Sequence, residues 1–121
     1  MKCPCNPQST YANCCAIAHK NINQVKSAEQ LMRSRYSAFA LAKTEYLYKS
    51  HHSTTRPSKK EHEEIKKWTE GVNWLKLDVL NSTEQTVHFK AYYMENGQVQ
   101  VIEENSEFVM ENGHWVYLGM F

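Results

Sequence analysis

Glycine and proline are scarce here, with four glycines and three prolines in 121 residues. So few backbone breakers argue against a glycine-rich phosphate loop, a collagen-like repeat or a long flexible linker. No Gly-x-Ser-x-Gly elbow occurs, which removes the best-known signature of a hydrolase nucleophile. No apolar run approaches the roughly 20 residues that a membrane span requires. Lys2 is followed by Cys-Pro-Cys rather than the apolar core of a secretory signal. An excess of one charge is also missing. Fourteen basic and thirteen acidic side chains give a net charge of +1, so no field favours a polyanion such as nucleic acid. Cysteine is absent after residue 15.

What remains is ordinary for one folded domain. Hydrophobic residues make up 41% and charged residues 22%, and a chain of this length buries about two-thirds of its unfolded surface. If Met1 is the natural start, the expectation is a cytoplasmic, single-domain protein with no membrane association.

The four cysteines, Cys3, Cys5, Cys14 and Cys15, are the first specific signal. Disulfides among them would close only short loops, which constrain an unfolded chain little, and joining the adjacent pair would strain the backbone. Four soft thiolates from a tight turn and a helix start instead suit a tetrahedral zinc ion. Pro4 stiffens the first turn, and Asn6-Pro7 favours the reversal after it. A complete shell of four cysteines leaves no open position for water, so such a zinc would be structural. The competing readings are a redox-labile thiol set or an accidental cluster. His19 is a substitute ligand on paper, but four cysteines already fill the shell, and it reads as a surface histidine.

The run Cys3-Pro-Cys5 to Cys14-Cys15 resembles the SEC-C motif, Cys-x-Cys-x8-Cys followed by His or Cys, best known from the bacterial preprotein translocase ATPase. Beyond it, Leu31-Met-Arg-Ser-Arg-Tyr-Ser-Ala-Phe39, Ser53-Thr-Thr-Arg56, Val87-His-Phe-Lys-Ala-Tyr92 and Gly113-His-Trp115 resemble the YchJ family of bacterial proteins. Trp74, Glu104, Ser106 and Phe108 extend that likeness along nearly the whole chain. The resemblance implies a nuclear-transport-factor-two-like cone, in which a curved sheet wraps a helix and leaves a pocket. It implies no biochemical activity. Asn6-Pro-Gln-Ser9 replaces the Gly-Ser-Gly-Lys loop usual in SEC-C motifs, which weakens any transfer of the translocase motif's chaperone-binding role.

Local patterns supply the elements. Ser27-Ala-Glu-Gln30 and Ser58-Lys-Lys-Glu61 are capping boxes that start helices, the second of which ends at Gly71. Ala28, Leu31, Met32, Phe39 and Ala42 recur at helical spacing, and Thr44 caps a short helix to Ser50. From Val72 the period is two. Leu75, Leu77 and Val79 share one face, as do Val87, Phe89, Ala91 and Tyr93. Asn96-Gly97 and Asn112-Gly113 predict hairpin turns, and a phase change near Ile102 predicts a bulge. Helices followed by four antiparallel strands give an α+β fold with the helices packed on a four-stranded sheet. The cone shape is what the resemblance implies, with an N-terminal zinc knuckle over residues 1–20 and the cone domain over 21–121 as one unit.

Candidate pocket residues are Arg35, Tyr36, His51, Arg56 and Glu104, with Arg33, His52 and His88 as further polar groups. An arginine there could clamp a carboxylate or phosphate, but the simpler reading pairs Arg35 or Arg56 with Glu104 or Glu107. Lys59-Lys60 and Lys66-Lys67 interleave with Glu61, Glu63 and Glu64, a solvated face rather than a nucleic-acid surface. The leading expectation is a non-enzymatic zinc-binding module whose knuckle braces the domain or docks a protein partner. The rival is a small-ligand-binding protein or enzyme acting in the cone.

Overall fold

Ser27 and Ser58 start the two long helices through the same device, a serine hydroxyl that accepts a backbone N–H three residues on. In the computed structural model, which describes residues 1–121, Ser27 Oγ accepts from Gln30 at 3.1 Å and opens α2 (Ala28–Ala40). Ser58 Oγ accepts from the Glu61 N–H, and the Glu61 carboxylate in turn accepts from the Ser58 N–H, opening α4 (Lys59–Glu70). Both caps satisfy backbone donors that a helix start leaves free. Ahead of them lie β1 (Lys2–Cys3), β2 (Asn6–Thr10) and the short helix α1 (Cys15–Lys20).

The short helix α3 (Thr44–Lys49) differs from expectation at its start. Lys43 occupies the cap position and no side chain caps it, so Thr44 is the first helical residue. The chain reaches it by a Schellman-type turn: Lys43 N–H donates to Ala38 C=O at 2.8 Å, with Ala42 at φ 56.

Four strands follow, β3 (Asn73–Ser82), β4 (Thr86–Glu95), β5 (Gln98–Glu111) and β6 (His114–Met120). They form an antiparallel meander in sequence order. Asn96 and Gly97 have φ of 52 and 77, and Asn112 and Gly113 have 54 and 85, the two left-handed residues of a type I′ hairpin turn. The pairing of β4 with β5 runs without interruption through Ala91 and Ile102, so the bulge expected near Ile102 is not there. Val99 and Val101 simply point outward, 57% and 49% exposed, and this imitates a change of phase. The irregularity lies instead between Glu107 and Phe108, where β6 gains one residue. Two more interrupt β3, and the first pushes Leu75 off the inner face, so Trp74, not Leu75, packs inward with Leu77 and Val79. Bulges raise twist and bend a sheet.

The bent sheet packs against α2, whose Leu31, Met32, Tyr36 and Ala38 are buried against Val87, Phe89, Ala91 and Phe108. Cys3, Cys5 and Cys15 belong to the same buried cluster. The free edge of β6 is partly closed by the chain after α3, where Tyr117 N–H donates to Ser50 C=O and its own C=O accepts from His52 N–H, each at 2.8 Å. No helix is long and apolar enough to cross a membrane.

Candidate metal centre and cone cavity

Two short elements and one helix start bring the cysteines together. Cys3 ends β1, Cys5 sits in the turn before β2, and Cys14 and Cys15 enter α1. Their sulfurs converge within 4.8 Å of one another. Cys5 Sγ lies 3.6 Å from Cys3, 3.6 Å from Cys14 and 3.5 Å from Cys15, with Cys14 and Cys15 4.0 Å apart. A disulfide would hold two sulfurs at about 2 Å. These are free thiols at the spacing of ligands around one ion, and the cluster could hold a metal.

The surroundings favour one negative sulfur, at Cys5. Ser37 Oγ donates to Cys15 Sγ at 3.2 Å and lies 3.5 Å from Cys3 Sγ. Arg33 bonds Glu29 at 2.9 Å along α2 and donates from Nη1 to Cys5 C=O at 3.1 Å, placing a cation beside the cluster. The Cys5 thiol is pulled down to about 5, first by the Cys15 S–H donating to it, with Cys14, Cys3 and Arg33 helping against burial. The same crowding pushes Cys14 up to about 12, mainly through burial, and Cys15 upward, mainly through its bond to Cys5. Without a cation, one thiolate suppresses ionisation of its neighbours. A divalent ion removes that repulsion.

His19 is not the surface residue expected. Its Nε2 donates to Ser34 C=O at 2.8 Å, its Nδ1 accepts from the Tyr11 hydroxyl at 2.7 Å, and Tyr46 packs on the ring at 4.7 Å. Burial holds its pKa below the ordinary value, which favours the neutral imidazole that this pattern of one donor and one acceptor suits. His19 therefore ties α1 to α2 rather than joining the sulfur shell. Ser34 and Ser37 also hold partners against α2, and sequence reasoning misses both. Their only signal is that small polar residues sit within the apolar stripe of that helix.

A cavity of about 160 Å³ lies between α2, α4 and the inner face of the sheet. Of the sequence candidates, Arg35, Tyr36 and Glu104 line it, whereas His51 and Arg56 do not. The expected ion pairs with Glu104 and Glu107 do not form. Arg35 Nη1 donates to Leu47 C=O at 2.9 Å and Ser50 Oγ at 2.7 Å, and its guanidinium lies 4.9 Å from the Tyr117 ring centre. The carbonyl acceptor comes from the end of α3, so a search for opposite charges does not find it. Arg56 donates twice to His51 C=O and lies over Tyr48 at 4.4 Å. His51 stands edge-on to Tyr117 at 5.0 Å, and burial, then Arg35 and Arg56, lowers its pKa to about 4. His52 pairs with Glu111, and His88 with Glu103, and none of the four lines the cavity.

Similarity to known proteins follows the same two regions. Residues 27–119 match the family described as YchJ, middle NTF2-like domain. A UPF0225 protein of Vibrio parahaemolyticus is 41% identical over 96% of this chain and 72% of its own, and one from Shewanella is 39% identical over 95% and 77%. A crystal structure of a SEC-C motif containing protein from Psychrobacter arcticus superposes with a TM-score of 0.81 at 29% identity, covering 98% of this chain and 80% of that one. The solution structure of another, from Rhodopseudomonas palustris, gives 0.80 at 32% identity, covering 98% and 95%. With an NTF2-like α+β domain behind a cysteine cluster of SEC-C spacing, the chain belongs to the YchJ, or UPF0225, family.

Proposed function

We propose that this protein is a small zinc-binding module in which a closed four-cysteine centre braces the N-terminal segment against the cone, with no catalysis at the metal. The observation that carries the reading is the sulfur geometry. Four ligands at the usual Zn–S distance of about 2.3 Å stand about 3.8 Å apart at the corners of a tetrahedron. Four of the six sulfur separations, at 3.5 to 4.0 Å, bracket that edge, and all six lie within 4.8 Å. Soft thiolates in tetrahedral array suit zinc. Cys3, Cys5 and Cys15 are each under 5% exposed, and four protein ligands leave no site for a reacting water. Such a centre fits a reducing compartment such as the cytoplasm, where clustered thiols stay free of disulfides.

Native mass spectrometry of protein purified without chelator, with a thiol count after denaturation, tests this directly. One zinc per chain and four reactive thiols are expected, and Cys14→Ser should abolish the zinc. Reduced protein that takes up no zinc on titration, or a Cys14→Ser variant that holds zinc as tightly as wild type, would overturn the assignment.

A further inference from the structure

The cone cavity is lined by two half-buried residues of opposite charge, Arg35 and Glu104, that the zinc reading leaves unused. Arg35 spends Nη1 on Leu47 and Ser50, and its Nε and Nη2 donors have no protein acceptor. Glu104 accepts one bond, from Ser106 Oγ at 3.0 Å to Oε2, and its Oε1 has none. The Tyr36 hydroxyl also makes no hydrogen bond, although the residue is only 3% exposed. No side-chain nitrogen or oxygen is both sealed from solvent and unpartnered, so these groups face open space, and all three residues line the cavity. Polar groups in an apolar site normally find partners, because burying them unpaired is costly.

The rest of the wall is mostly apolar. Phe39, Trp68, Trp74, Phe89, Phe108 and Tyr117 supply its aromatic part, and Thr69 fixes Trp74 by accepting its indole N–H at 3.0 Å while donating to Phe39 C=O at 2.9 Å. A volume of about 160 Å³ is close to that of an engineered cavity that admits one benzene ring. An anion would meet Arg35 but be repelled by Glu104, and a cation would meet the reverse. One charge of each sign selects a neutral group that accepts from the guanidinium and donates to the carboxylate.

We propose that the cone cavity binds a small, uncharged planar ring bearing an amide-like edge, with its acceptor on Arg35, its donor on Glu104 and its faces against the tryptophans.

Three compounds of nearly identical shape test this on the zinc-loaded protein: benzamide, benzoate and benzamidine, with toluene as the apolar control. Binding is read from the indole N–H resonances of Trp68 and Trp74. Benzamide should saturate with Kd on the order of 100 µM and bind at least about tenfold tighter than either charged compound or toluene. In Glu104→Gln, which keeps an acceptor for Ser106, benzoate should gain about tenfold relative to benzamide. No saturable shift with any compound up to about 10 mM would overturn the proposal. So would a charged compound or toluene binding as tightly as benzamide, or an unchanged ranking in a folded Glu104→Gln variant. The ranking on wild-type protein decides the matter even where that variant does not fold.

Discussion

The knuckle and the cone are ordered by different means, although they share one core. In the first 20 residues only Cys3, Cys5, Cys15 and Ala16 are buried, so the interior of the knuckle is essentially sulfur. Such a segment cannot offset the entropy of ordering its backbone through apolar burial alone. The cone instead buries Leu31, Tyr36, Leu47, Val87, Phe89 and Phe108, and its strands pair along most of their length. On the proposed reading, a metal would supply local order where the sequence has too little hydrophobic area, while packing supplies it elsewhere. The SEC-C segment then adds to the NTF2-like domain by docking on α2 through His19, Ser37 and Arg33.

The comparison is challenged most strongly from the cone side. Phe108 is 1% exposed, and Phe108→Ala should lower stability by about 3–5 kcal/mol in urea denaturation. Below its melting point that variant should still carry one zinc. Loss of the ion from a folded Phe108→Ala protein would mean that the two regions are not separately ordered.

A smaller effect comes from pH. His51 has a folded pKa of about 4 against an ordinary 6.5, so the unfolded chain takes up this proton first. Stability from this group is complete near neutrality and declines as pH falls from 6.5 toward 4. Between pH 7 and 5 the wild type should lose about 1–2 kcal/mol more than His51→Gln, compared in paired denaturation curves. Because both proteins share the thiolates and His19, their difference isolates the cone. Equal losses would refute the burial of His51 as the cause.

The smallest expected effect sharpens the boundary between α2 and α3. Ala42 holds a left-handed φ of 56 at the position where a Schellman turn favours glycine. Ala42→Gly should raise stability by about 0.5–1 kcal/mol in the same assay. A decrease would show that Ala42 is not strained there.

How much is legible from sequence follows the range of each interaction. Ser27, Ser58 and the two Asn-Gly pairs announce their roles because caps and hairpin turns are decided within four residues. The cysteine spacing is legible because all four cysteines come from one short stretch of turn and helix start between residues 3 and 15. Arg35 stands out as a candidate but its partners do not, because its acceptors are a carbonyl and a serine brought in by the end of α3. His19 cannot be placed without knowing that α1 lies on α2. The outward valines of β5 mislead the strand reading because apolar residues also occupy solvent-facing positions.

Hydrogen exchange of the zinc-loaded protein against chelator-stripped, reduced protein tests the central claim most directly. The account predicts loss of amide protection through residues 3–20 on stripping, while amides of the paired β4 and β5 around Phe89 and Phe108 keep theirs. Protection unchanged in the knuckle, or lost equally from both regions, would contradict it.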